Sequence, residues 1–167
     1  MTILDTAESF AGTPYHLGGP MGRTPGDESS CDCSGFVSFV FAQNGIGGLT
    51  AFTDAMYSQT QPVDGAPQLG DLLFYGPYTD TSQPGVRFPH MAIALGNGQT
   101  IDCKYPNGVS VHPPLGLPYE VRRVLALGAA ASDAPVDQVA GGPPWLLIGI
   151  GALAFALLFG RRNPTHA

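Results

Sequence analysis

Apolar positions follow two different rhythms along the chain. Up to about residue 59 they recur at helical spacing. Ile3, Leu4, Ala7, Phe10 and Ala11 share one side of a short helix within 2–12, and Phe36, Val37, Phe39, Val40 and Phe41 cover a broad face of a longer one. A third helix is predicted from Thr53, as N-cap, to Gln59. From about residue 69 the segments Leu72 to Tyr75, Met91 to Leu95, Thr100 to Cys103, Val109 to Val111 and Val121 to Leu127 are strand-like and bounded by Gly, Pro and Asn. Helices first and strands afterwards predict an α+β domain with an antiparallel sheet over residues 1–127. The polar loop from Tyr75 to Pro89 is long enough to form a functional rim.

After residue 127 the pattern changes. Residues 128–142 read as a flexible linker. Residues 143–160 carry no charge, with Trp145 near one end and Arg161 and Arg162 opening a short tail, 161–167. A helix of that length spans about 27 Å at ~1.5 Å per residue, short for a bilayer, although arginines can snorkel. The expectation is a transmembrane anchor, with Ala152, Ala156 and Gly160 as a small-residue ridge for helix packing. The alternative is a hydrophobic helix buried in an assembly. The two arginines favour a cytoplasmic C-terminus and an outward-facing domain, yet the N-terminus does not read as a secretory signal. A phage-encoded lysis or entry enzyme would relieve that conflict.

Composition narrows the function. Charged residues make up 12% of the 167, the formal net charge is −6, and basic residues are scattered, so no nucleic-acid footprint is present. Three cysteines leave at least one unpaired or bonded to another chain. A zinc site from Cys31, Cys33, His90 and Cys103 is conceivable, but no second ligand pair supports it, and no metal is expected.

The chemistry concentrates between Ser30 and Asn44. A polar Gly- and Pro-rich run ends at Asp32-Cys33-Ser34-Gly35, and the apolar helix follows until Asn44-Gly45. Cys33 therefore falls at a helix N-terminus, where free N–H groups and the dipole lower a thiol pKa from ~8.5 and can also hold an oxyanion. A buried structural cysteine is the plain alternative. Among four histidines, His90 is the best-placed base, because it opens an alternating strand with Ala92 and Ala94 on its own face. These small residues are expected to leave room for the packed helix and a substrate. A three-residue Gly96-Asn97-Gly98 loop would pair Leu95 with Gln99 and bring Asp102 onto the His90 face; a two-residue loop would not. Cys103 should then point away from Asp102 into packing.

Several segments, in order, resemble the NlpC-type cell-wall peptidase family: Gly12-Thr-Pro-Tyr15-His-Leu-Gly-Gly19, Asp32-Cys-Ser-Gly35, Gly70-Asp-Leu-Leu-Phe74, His90-Met-Ala-Ile-Ala-Leu-Gly-Asn-Gly98 and Ile101-Asp102. The resemblance implies a papain-like cysteine peptidase fold and hydrolysis of peptide bonds in peptidoglycan stem peptides, typically the D-γ-glutamyl to diamino-acid bond. It implies Cys33 as nucleophile, His90 as general base and then acid, and Asp102 in the third position. Tyr15 would lie by the oxyanion, while Asp32 and Ser34 would meet the amine end of the stem. No organic cofactor is implied. The chain departs from the family in three places. Leu17 replaces the usual Trp, Asp102 replaces the commoner His, and the loop before Cys31 is long. A CHAP-type amidase also runs Cys before His but lacks the Asp-Cys-Ser-Gly context. Acyltransferases similar to lecithin:retinol acyltransferase reverse the order. A non-catalytic, membrane-tethered wall-binding or phage structural module is the remaining alternative.

Overall fold

A computed structural model describes residues 2–78 and 80–125. Three helices come first, α1 (Ile3–Ser9), α2 (Cys33–Gln43) and α3 (Thr53–Ser58). Six strands follow: β1 (Thr60–Pro62), β2 (Leu72–Tyr75), β3 (His90–Ala94), β4 (Thr100–Lys104), β5 (Gly108–His112) and β6 (Tyr119–Val124). They form one sheet in the order β1-β6-β2-β3-β4-β5, with every pairing antiparallel. The α+β class follows from this arrangement. The expected linker and apolar helix lie outside the described residues. Among the described residues no helix is long and apolar enough to cross a membrane.

Helix α1 starts at a reciprocal capping box, in which the Asp5 N–H donates to Thr2 Oγ1 and the Thr2 N–H donates to Asp5 Oδ2. Helix α2 is capped by Asp32, whose carboxylate accepts from the Gly35 N–H at 2.8 Å. Helix α3 begins one residue differently from expectation. Phe52 is its N-cap, Thr53 is already helical, and no side chain caps it. Strand β1 is not foreseen by the sequence pattern, because three residues ending in proline make too short a signal. It lies at the sheet edge, where Pro62 removes no interior ladder bond.

The face of the sheet that receives α2 differs from expectation. Met91, Ile93, Leu95, Ile101 and Cys103 share the main core with Phe36, Val37, Val40 and Phe41 of α2. Ala92 and Ala94 belong instead to a second small cluster with Leu73 and Tyr75, edged by Tyr78 and Leu115. The larger side chains bury more apolar area against the helix, at about 25 cal/mol per Å², so they decide which face it covers. His90 shares the Ala92 face by alternation but stands at the first position of β3, beside its partner Tyr75, whose ring stacks on the imidazole at 5.6 Å.

Cys31 and Cys103 form a disulfide that the sequence reading does not predict. It joins the segment just before α2 to β4, with both cysteines fully buried. Cys103 does point into packing, and the bond removes both residues from the metal set considered above. Cys33 is the free cysteine among the described residues.

Candidate active site

Two backbone features bring the loop and the nucleophile together. Tyr15 forms an isolated parallel bridge with Cys31, in which His16 N–H donates to the Cys31 carbonyl and Cys31 N–H donates to that of Pro14. Gly22, at φ +75°, packs directly on the Gly35 backbone in the first turn of α2, where any Cβ would collide with the Gly35 carbonyl. Cys33 is thus held at the helix start under a fixed loop, 7% exposed.

His90 and Asp102 meet through the hairpin between β3 and β4. Ile93 pairs with Ile101 and Ala94 with Thr100, and the Leu95 N–H donates to the Gln99 carbonyl at 2.9 Å. Gly96 and Gly98 take φ values of +74° and +80°. The loop is therefore the three-residue form, and Asp102 reaches the His90 face. Its Oδ2 lies 2.7 Å from His90 Nε2.

Burial alone would lower the His90 pKa. Hydrogen bonds to Asp102 and to Cys33, with the charges of both, overcome it and raise the pKa to about 10. Burial would likewise raise the Asp102 pKa, but the two histidines facing it hold it below the ordinary carboxylate value. The Tyr15 hydroxyl is pushed up to about 12, first by burial and then by charge at Cys33, Asp32 and Asp80.

The second histidine at Asp102 is His112, which the sequence reading does not single out. Its Nε2 lies 3.0 Å from Asp102 Oδ1 and 2.8 Å from Lys104 Nζ, and its Nδ1 lies 2.7 Å from the Pro113 carbonyl. With Nδ1–H donated to Pro113, the Nε2 atom donates to Asp102 only when the ring is protonated. When Nε2 is bare it accepts from Lys104, and Asp102 Oδ1 is then a buried acceptor without a donor. The ladder between β4 and β5, with Thr100 opposite His112 and Asp102 opposite Ser110, is what carries His112 to this face.

Asp32 is engaged within the protein. Its Oδ1 accepts from Gly35 N, Ser34 Oγ and Arg23 Nη2 at 2.8, 3.1 and 3.1 Å. Its Oδ2 accepts from Gly18 N and Arg23 Nη2, both at 2.9 Å. Ser34 Oγ also accepts from Arg23 at 3.2 Å. Arg23 lies in the loop before the helix and was not singled out by the sequence reading. No spacing rule marks a loop arginine that folds back nine residues onto an N-cap.

Two cavities flank this centre and share Tyr15, Leu17 and Gln83. One, of about 450 Å³, is lined by His90, Tyr78, Lys104 and Tyr105. The other, of about 260 Å³, is lined by Cys33, Arg23, Phe52 and Val86. Leu17, in place of the family's Trp, is half exposed between them.

Comparison with known proteins agrees with the motifs. The probable endopeptidase p60 of Listeria seeligeri is 36% identical over 108 residues, which are 64% of this chain and 18% of that protein. Peptidoglycan endopeptidase RipB of Mycobacterium tuberculosis is 34% identical over 121 residues, 66% of this chain and 46% of that protein. Among solved structures, the NlpC/p60 domain of the peptidoglycan hydrolase SagA superposes with a TM-score of 0.55 at 34% identity, covering 71% of this chain and 94% of that one. The match to p60 thus spans about a fifth of that relative, and the match to RipB under half. The NlpC/P60 family model matches residues 12–126, and the chain belongs to that family.

Proposed function

We propose that this protein is a cysteine-type endopeptidase that hydrolyses peptide bonds in the stem peptides of peptidoglycan. The observation that carries the reading is His90, hydrogen-bonded through Nε2 to the fully buried Asp102, with Cys33 at the start of α2 acting on the same ring. A nucleophile, a base in reach and a carboxylate that orients the base are the parts that acyl transfer through a thioester requires.

In this mechanism the Cys33 thiol passes its proton to His90, and the resulting thiolate sulfur attacks the scissile carbonyl carbon. The oxyanion is received at the start of α2, where the first N–H groups have no helical partner, with Tyr15 beside it. As the tetrahedral intermediate collapses, His90 gives its proton to the leaving nitrogen and the C–N bond breaks. His90 then takes a proton from water, the hydroxide attacks the thioester, and the acid product leaves with Cys33 restored. Asp102 keeps the imidazole in one orientation and steadies its charged form. We assign the D-γ-glutamyl to diamino-acid bond as the target on the strength of the family resemblance, and Asp32 and Ser34 to the substrate-facing wall of the cavity beside Cys33.

A disulfide within the core fits an oxidising compartment such as the cell envelope, where the substrate lies. We also propose that the catalytic domain occupies residues 1–127, that 128–142 are a linker, and that 143–160 anchor the domain to a membrane, the domain facing the wall in a bacterial or phage lysis setting. Muropeptide mass spectrometry after digestion by the full chain, with Cys33→Ala as control, tests the activity. New ends inside the stem are expected. Release of whole stems from the glycan would assign an amidase instead, and no product at all would leave a binding module.

A further inference from the structure

The cavity beside Cys33 must take the acyl half of the substrate. The leaving nitrogen has to face His90, the proton donor, and His90 lines the other cavity. Among the described residues, Arg23 and Asp32 are the only Asp, Glu, Lys or Arg side chains lining the acyl-side cavity. Both Asp32 oxygens are already taken, by Gly18, Ser34, Gly35 and Arg23, which uses up the roughly four lone-pair positions a carboxylate offers. The Asp32 side chain is only 6% exposed, whereas that of Arg23 is 29% exposed. Arg23 is further tied to the Gly19 and Ala51 carbonyls at 3.0 and 2.6 Å, so it is a fixed part of the wall.

A substrate ammonium entering this cavity would therefore meet a partly exposed guanidinium and no free anionic acceptor. To bind Asp32 it would have to displace Arg23 from a largely buried pair, and breaking such pairs is costly. A neutral acylated nitrogen brings no such penalty, and its substituent would lie against the apolar Leu17, Phe52 and Val86. We propose that Arg23 is a specificity residue that closes the Asp32 carboxylate to free amines, so that this site takes stem peptides whose N-terminal nitrogen is acylated. The proposal rests on the endopeptidase reading and refines it. In intact wall that nitrogen is amide-linked to the glycan. The reaction would thus precede any amidase step that frees the stem, and would not serve to degrade released stems.

The test uses two synthetic peptides, L-Ala-γ-D-Glu-diaminopimelate with a free N-terminus and its N-acetyl form. Hydrolysis is measured with the full chain, and binding with the Cys33→Ala chain, which holds substrate without cutting it. At least a tenfold preference for the acetylated peptide is expected in kcat/KM and in Kd. Arg23→Ala should narrow or reverse the preference by uncovering Asp32, and Arg23→Lys should retain it. Equal or better use of the free amine by the wild-type chain overturns the proposal, as does an unchanged preference in a folded Arg23→Ala chain. If neither peptide is cut but Kd still favours the acetylated one, the hydrolytic reading fails and the specificity assignment stands. If neither peptide is bound, both fail.

Discussion

Asp102 Oδ2 stands 2.7 Å from His90 Nε2 because the chain turns between β3 and β4 in three residues instead of two. A one-residue change of loop length would have sent the carboxylate to the opposite face. The pair is buried, and its electrostatics govern when His90 is charged.

The first consequence is kinetic. With its pKa raised to about 10, His90 stays protonated through neutral pH and loses its proton as pH rises through that value. Asp102→Asn removes the anion that favours the imidazolium, so the alkaline limb of kcat/KM should move to lower pH. Turnover should fall roughly 10²–10⁴-fold, as expected for loss of an orienting carboxylate. A limb that stays in place, or full turnover, would leave a Cys33–His90 dyad.

His112 should act through Asp102. His112→Phe leaves Oδ1 without its ring partner and frees Lys104, and kcat should fall about tenfold, in keeping with ~1–3 kcal/mol for an unsatisfied buried acceptor. KM should change little, and the pH profile should shift. His112→Gln, which keeps an N–H donor, should recover most of the rate. Equal loss in both variants, with an unmoved pH profile, would mark His112 as a packing residue.

The same groups make stability depend on pH. A folded His90 pKa above its ordinary 6.5 gives stabilisation that is fully present below 6.5 and is lost as pH rises through about 10. The Asp102 and Asp71 carboxyls are held low in the fold. Their contributions are present above about 3.8 and are lost as pH falls through their folded values. Thermal denaturation should therefore show highest stability between about pH 4 and 6.5 from these groups, with a decline on the alkaline side. That decline should flatten in His90→Gln. An alkaline slope identical in the variant would assign it to other groups.

Local pattern made most of this fold legible. The helical face of α2, the alternation of β3 and the two glycines of the β3–β4 loop each state a geometry in a few adjacent residues. The helix-bearing face of the sheet was misread because the small residues Ala92 and Ala94 suggested room, while the larger Met91 and Ile93 bury more area against α2. Arg23 and His112 were missed for another reason. Their roles depend on contacts 9 and 10 residues away that only the folded loop and the β5 ladder create. The sulfur bridge is of the same kind, since three cysteines allow several pairings and sequence alone cannot choose among them.

That bridge carries the last prediction. Cys31 and Cys103 are separated by 72 residues, and their cross-link restricts the unfolded chain far more than a local one would. A native disulfide closing such a loop typically contributes about 2–4 kcal/mol. Cys31→Ser should thus lower Tm by roughly 10 °C for a domain of this size. Without the bond, Gly22 packing, the Asp32 cap and the Tyr15 loop still fix Cys33. Most activity should therefore survive at low temperature. In the native chain a thiol reagent should label Cys33 alone, and after reduction and unfolding all three cysteines. Labelling of all three without reduction would show the bridge absent. Complete loss of activity in a folded Cys31→Ser chain would show that it positions the nucleophile as well as stabilising the domain.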